Sequence, residues 1–250
     1  MVGLVAGRGV LDPRGIPSQW LTLASVVGAH WTMLRVDRQS WSFVGLGRDA
    51  ASPPLLINGA LLGAATIGTA SVALLATHML RIEPTQAGNW FGAAGRSAAT
   101  LLPAAFFEEL FIRGFAFAVL RRAGGWRLAL IVTSVVFGLL HAWNPGADAE
   151  SILAVIVAGF FLGAILLATG SLYAAGAAHF AWNWVMAGAL HIAVSGIASS
   201  DADYRTVETG PDWLTGGPWG PEGGLAAVAA MFVAIFYLYG RYLKGMEQRK

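Results

Sequence analysis

Long apolar runs constrain the fold of this chain more than any other feature of its sequence. The run from Pro54 to Leu80 contains no acidic residue, no lysine and no arginine, and it exceeds the roughly 20 residues that a helix needs to cross a bilayer. Charged residues make up 12% of the chain, against about 25% in a typical soluble domain. The sequence therefore predicts a multi-pass membrane protein.

Six other apolar stretches resemble this run, although the first of them is short for a membrane span. They predict an all-α polytopic membrane protein of about seven transmembrane helices, with residues 1–250 forming a single membrane domain. Gly59, Gly63 and Gly68 are expected to let helices approach closely. Two loops are predicted at 81–95 and 195–224. The predicted spans are 20–34, 54–80, 96–120, 126–143, 151–169, 172–194 and 225–239.

The distribution of basic residues predicts the orientation of these spans. One alternate set of loops carries ten lysines and arginines and the opposite set carries five. Because basic loops are enriched on the cytoplasmic side, the C-terminus is predicted to be cytoplasmic and the N-terminus to lie outside. Trp213 and Trp219 are then expected to rest at the external interface. The high Ala, Gly and Arg content indicates a bacterial protein of the inner or plasma membrane.

Composition also excludes several function classes. The formal net charge is only +2 and basic residues form no run with interleaved aromatics, so nucleic acid is not an expected partner. The chain has no cysteine, which excludes disulfides and thiolate chemistry. The lipid bilayer is the partner that composition leads us to expect.

The stretch FFEELFIR places two carboxylates and a guanidinium inside an apolar span. Each such group costs at least ~2.5–3.5 kcal/mol at the centre of a membrane helix, which indicates a functional site. Glu109 and Arg113 are one helical turn apart and are predicted to pair. Glu108 points about a quarter-turn away and lacks that partner. We interpret Glu108 as the carboxylate that is free to exchange protons.

Two later spans carry polar pairs at helical spacing. Phe137 and His141 share one helix face, and so do His179 and Asn183. Counting about 1.5 Å per residue from the cytoplasmic ends places Glu108, His141, His179 and Asn183 in one overlapping slab of the membrane. The sequence thus predicts a polar catalytic chamber inside the bundle.

These three motifs together resemble the CAAX-protease and bacteriocin-processing (Abi) family of intramembrane proteases, which is related to the type II CAAX prenyl endopeptidases. The resemblance is densest over residues 96–193, which we take as the catalytic core. Relatives commonly have an eighth span, which is missing or degenerate at this N-terminus. The motifs that carry the resemblance are Glu108-Glu109-x-x-x-Arg113, Phe137-x-x-x-His141 and His179-x-x-x-Asn183.

The resemblance implies an intramembrane endopeptidase that cleaves a membrane-associated substrate, a peptide or lipidated protein, in CAAX-type or leader/bacteriocin-type processing. It implies that Glu108 and His141 activate the hydrolytic water, and that His179 and Asn183 stabilise the oxyanion. Glu109 and Arg113 would support the site. No cofactor is expected in this mechanism.

Other mechanisms and functions stay open at the level of sequence. Glu108, His141 and His179 could instead bind zinc in a metal-dependent protease. Buried ionisable groups also mark proton-coupled carriers, although carriers are often built from internal repeats and none is evident here. A membrane scaffold with a vestigial site is the remaining alternative.

Overall fold

The structure is a computed structural model, and it describes residues 16–86, 88–198 and 202–243. Most of the predicted N-terminal stretch, and the tail beyond residue 243, lie outside the described residues. The described part is mainly helical. Its elements in chain order are α1 (Ile16–Val36), α2 (Pro53–Ala76), β1 (Leu80–Pro84), α3 (Trp90–Arg113), α4 (Phe115–Leu140), α5 (Ala149–Thr169), α6 (Leu172–Trp184), β2 (Tyr204–Glu208), α7 (Asp212–Thr215) and α8 (Leu225–Leu238).

Several helices have the length and hydropathy needed to cross a membrane. Among the described residues, three stretches qualify by length and composition: Pro53–Ala76, Trp90–Leu140 and Ala149–Thr169. The second stretch contains both α3 and α4, which are separated by Gly114, and α4 itself is kinked at Gly125, whose backbone is non-helical (φ 83°, ψ 172°). The helix Leu225–Arg241 is apolar but shorter. The chain is therefore a multi-pass membrane protein, while the count of seven spans stays a prediction.

The predicted span 96–120 is interrupted, which the sequence analysis did not anticipate. Helix α3 ends at Arg113, and α4 starts at Phe115 after Gly114, whose backbone leaves the helical region (φ −80°, ψ −118°). His30 of α1 caps this break, since its Nε2 accepts a hydrogen bond from the Phe115 N–H at 3.1 Å. A Cβ on Gly114 would lie 2.3 Å from that nitrogen. The break thus lies directly after the polar motif of α3.

The described part is mostly helical, as predicted, and it also contains a small sheet that was not predicted. Strands β1 and β2 form a two-stranded antiparallel sheet in which Leu80 lies opposite Glu208 and Pro84 opposite Tyr204. Both strands lie in segments that were predicted as loops. Residues this far apart in sequence pair only after the helices have brought the two segments to the same end of the bundle.

Helix α6 packs between α2 and α3, while α5 packs against α4 and α8. Small residues allow the α2–α6 approach, because a Cβ on Gly59 or Gly63 would lie 2.3 Å and 2.1 Å from the carbonyl oxygens of Ala174 and Ala178. The packing role predicted for these two glycines is confirmed. A Cβ on Gly68 would have no neighbour within 4 Å, so the same prediction is wrong for Gly68.

The connecting segments collect at two ends of the bundle. At one end, the Gly45 carbonyl accepts from the Leu172 N–H at 2.9 Å, and Arg122 pairs with Asp37 at 3.0 Å. At the other end, the sheet lies near the segment that follows α6, where the Thr206 hydroxyl donates to the Leu190 carbonyl. These contacts distinguish the two ends of the bundle, and the end that faces the cytoplasm stays a prediction.

Candidate active site

The polar motif of α3 lies in the interior of the bundle. Glu108, Glu109 and Arg113 are each at most 2% exposed. Three ionisable groups this deeply buried require compensating partners. The described residues supply those partners from α4, α5 and α6.

Glu109 and Arg113 form the predicted ion pair, with 2.6 Å between Arg113 Nη1 and Glu109 Oε1. The same guanidinium donates from Nη2 to the Gly159 carbonyl of α5 at 3.0 Å. It also lies 4.7 Å above the Phe137 ring of α4. Arg113 therefore ties α3 to the two helices that follow it.

Glu109 has a second partner that the sequence analysis did not assign. His179 Nδ1 lies 3.0 Å from Glu109 Oε1. Because a carboxylate only accepts hydrogen bonds, this contact places the proton of a neutral His179 ring on Nδ1. Nε2 of His179 is then directed away from Glu109, toward Glu108.

Glu108 faces two imidazoles. Its Oε2 lies 4.0 Å from His141 Nε2 and 3.9 Å from His179 Nε2. His141 Nδ1 donates to the Phe137 carbonyl at 2.8 Å, which leaves Nε2 as the nitrogen that faces Glu108. Phe137 also packs edge-on against both imidazoles. The three groups are too far apart for direct hydrogen bonds, which suits a bridging water.

A small cavity adjoins these groups. It offers about 20 Å³ to the centre of a water-sized sphere, and one water needs roughly 10–15 Å³ by that measure. His141, His179 and Asn183 all line it, and Asn183 is 4% exposed. The cavity therefore has room for about one water beside the imidazoles.

The cavity wall also contains residues that were not predicted as part of the site. Glu222 and Ser195 line the cavity, although both had been assigned to the extracytoplasmic loop 195–224. Trp219, predicted to lie at the membrane interface, is only 2% exposed, whereas Trp213 is 54% exposed. The prediction for Trp219 is wrong because the loop folds back into the bundle. The sequence signal is a lone acidic residue in GPWGPEGG, directly before an apolar span.

The residues named for the zinc alternative match zinc in type but not in spacing. In a tetrahedral site with metal–ligand distances of about 2.0–2.1 Å, two ligand atoms lie about 3.3 Å apart. The distances from Glu108 Oε2 to the two Nε2 atoms are 4.0 Å and 3.9 Å. Among residues 16–86, 88–198 and 202–243, no group of three His, Cys, Asp or Glu side chains is close enough to hold a metal ion.

Comparison with known proteins supplies one match. Residues 90–185 match the family model described as type II CAAX prenyl endopeptidase Rce1-like. This part of the chain is similar to that family, and we call residues 90–185 the Rce1-like segment. Comparison with curated proteins and with solved structures gives no match.

The Rce1-like segment contains all three motifs that carry the resemblance drawn from the sequence, and the match confirms that resemblance. It begins at the first residue of α3 and ends just after α6. Helix α1, the sheet and the wall that contains Glu222 lie outside it. The Rce1-like family is a protease family, and the matched residues include the buried motifs.

Proposed function

We propose that the chain is an intramembrane endopeptidase that hydrolyses a peptide bond of a membrane-associated substrate. One observation carries the proposal: two imidazole Nε2 atoms face one buried carboxylate oxygen, at 4.0 Å and 3.9 Å. The Rce1-like match over residues 90–185 supports the same class of reaction. The substrate class, a CAAX-type or leader-type peptide, is proposed from that family alone.

In this proposal Glu108 is the general base. A water between Glu108 and His141 gives its proton to the carboxylate while its oxygen attacks the carbonyl carbon of the scissile bond. The proton then passes to the amide nitrogen as the C–N bond breaks. Glu108, unlike Glu109, is not paired with an arginine among the described residues, which suits a carboxylate that must bind and release a proton in each cycle.

His179 and Asn183 stabilise the oxyanion in the same proposal. Asn183 supplies an amide N–H₂ donor, and His179 donates from Nε2 when its ring is positively charged. The Glu109 carboxylate, 3.0 Å from Nδ1, orients that ring and compensates its positive charge. Arg113 in turn holds Glu109 at 2.6 Å. Through these contacts, Glu109 and Arg113 together hold the His179 ring in position.

The size of the cavity implies a conformational step before cleavage. A space of about 20 Å³ accepts a water but no peptide. A substrate must therefore displace part of the cavity wall as it binds. Lid and wall movements of this kind are common steps in enzyme cycles.

The spacing of the polar groups favours a metal-free reaction over the zinc alternative. Direct coordination would require Glu108, His141 and His179 to move closer together than the 3.9–4.0 Å seen here. Asn183 on the cavity wall has a role as an oxyanion donor, whereas a carboxamide is a poor zinc ligand.

A peptidase assay on protein purified in detergent tests the proposal. Candidate peptides with CAAX-type and leader-type termini are incubated with the wild type, Glu108→Gln and Glu83→Gln, and the products are identified by mass spectrometry. Glu83 is a matched control, since it forms an exposed ion pair with Arg205 at 3.0 Å. We expect cleavage by the wild type and the control only. Cleavage by Glu108→Gln at the wild-type rate would refute the proposed role of Glu108.

A further inference from the structure

Glu222 is a buried carboxylate that lies outside the three motifs and outside the Rce1-like segment. It is 7% exposed and lines the same cavity as His141, His179 and Asn183. A buried carboxylate in a membrane protein is costly and calls for a specific reason.

The carboxylate of Glu222 accepts three hydrogen bonds from two separate parts of the chain. Its Oε1 accepts from the Ser195 N–H at 2.6 Å and from the Ser195 hydroxyl at 2.7 Å. Its Oε2 accepts from Trp182 Nε1 at 2.9 Å. Trp182 belongs to α6, directly before Asn183. Glu222 thus links the catalytic helix to the segment that follows it.

The arrangement requires an acceptor on both oxygens. Donors approach Oε1 and Oε2 at once, and only a carboxylate can accept at both positions. A glutamine offers one carbonyl oxygen, and its N–H₂ group would face either Trp182 Nε1 or the Ser195 donors. The site therefore selects Glu over its neutral isostere.

The segment bound by Glu222 is held in a conformation that few side chains adopt freely. Ser195 has a φ of +49° and Gly196 a φ of +77°. Asn144 Nδ2 donates to the Ser195 carbonyl at 3.2 Å, and the Gly196 N–H donates to the Trp219 carbonyl at 3.0 Å. A Cβ on Gly196 would lie 1.9 Å from the Pro145 oxygen. The neighbouring residues of the cavity wall therefore pack closely around the turn at Ser195 and Gly196.

The C-terminal end of helix α6 is irregular, so contacts with other segments are needed to fix its position. The chain changes from α-helix to a π-helix over Val185–Leu190, immediately after the turn that carries Asn183. A π-helical turn is a rare and irregular hydrogen-bonding pattern that often marks functional sites. Side-chain contacts must therefore help to fix how His179 and Asn183 face the cavity. The Trp182–Glu222 bond is such a contact.

We infer that Glu222 is a positioning residue of this site: by binding Trp182 and Ser195 together, it closes the cavity wall and holds His179 and Asn183 toward Glu108. The inference rests on the proposed peptidase function for its kinetic consequence. Its structural consequence, a closed wall, can be measured without any substrate.

The kinetic test compares Glu222→Gln with Trp182→Phe, which keeps a packed ring but removes the donor to Oε2. Glu83→Gln is again the control. We expect Glu222→Gln to lower kcat by about 10–100-fold, short of the full loss of an oxyanion donor, which costs about 10²–10³-fold. KM should change by less than about threefold. A defect in folding alone would lower the active fraction and leave the kcat of the remaining enzyme unchanged.

A double-mutant cycle distinguishes positioning from an independent effect. If Glu222 acts through the α6 turn, adding Glu222→Gln to Asn183→Ala should reduce kcat by clearly less than it does in the wild type. Full additivity of the two changes would overturn the inference. An unchanged kcat in both Glu222→Gln and Trp182→Phe would overturn it as well.

The structural test uses a single cysteine at Ala158, which lines the cavity in a chain without native thiols. A water-soluble maleimide should label this cysteine slowly in the otherwise wild-type protein and at least about tenfold faster with Glu222→Gln or Trp182→Phe. Equal labelling rates would overturn the inference. If the wild type cleaves no peptide, the proposed function fails, and the labelling rates alone decide the role of Glu222.

Discussion

Arg113 offers the sharpest test of the division of roles between the two adjacent glutamates. Arg113→Leu removes a guanidinium that is 1% exposed, pairs with Glu109 at 2.6 Å and donates to the Gly159 carbonyl at 3.0 Å. The change leaves Glu109 buried with His179 as its remaining ionisable neighbour. Breaking a buried ion pair costs about 3–5 kcal/mol. At about 2–4 °C per kcal/mol for a chain of this size, we expect Tm to fall by roughly 6–20 °C.

Glu108→Gln is the matched comparison, because it changes the neighbouring residue on the same helix. Among the residues that the structure describes, no arginine pairs with Glu108, and its Oε1 has no hydrogen-bond partner. Removing its charge should therefore leave Tm within about 2 °C of the wild type, since it strands no buried partner. Thermal unfolding of both variants in one detergent measures the difference. Equal destabilisation by the two changes would refute the assignment of Glu109 to structure and Glu108 to chemistry.

Three further predictions concern other parts of the molecule. Asn183→Ala should stay folded, as measured by unfolding curves, and lose about 10²–10³-fold in turnover, as measured by peptide cleavage. Retention of most activity would contradict an oxyanion role. Asp212 and Asp49 can each be replaced by a single cysteine and treated with an impermeant thiol reagent on whole cells. The predicted orientation requires labelling at position 212 and none at position 49, and the reverse pattern would overturn it. Burial, and then the charge of Asp212, raise the pKa of Glu208 from 4.5 to about 7. The stabilisation by protonated Glu208 is thus complete below pH 4.5 and is lost as pH rises through 7. Glu208→Gln should remove this part of the pH dependence of Tm, and an unchanged dependence would contradict it.

The sequence analysis predicted those features that depend on local spacing. Glu109 and Arg113 pair because residues one helical turn apart lie on one face. His141 bonds the Phe137 carbonyl for the same geometric reason. The approach of Glu108, His141 and His179 also follows from local information, since hydropathy fixes the depth of each residue within its span.

Features that depend on contacts between distant segments were not predicted. The break after Arg113 is capped by His30, a residue of another helix, and hydropathy continues smoothly across it. The pairing of β1 with β2 requires two segments that meet only in the folded bundle. Glu222 was placed in the predicted loop 195–224, because one acidic residue in a Gly- and Pro-rich stretch does not by itself show that the loop folds inward. Its three donors come from Ser195 and Trp182.

In the proposed mechanism, Glu108 activates water for peptide hydrolysis without a metal ion. Its most direct test is the cleavage rate of one peptide by detergent-purified wild type and Glu108→Gln, each measured with and without a strong chelator and after addition of zinc. We expect the wild type to keep its cleavage rate in the chelator and Glu108→Gln to be inactive in every condition. Loss of wild-type activity in the chelator, restored by zinc alone, would contradict it.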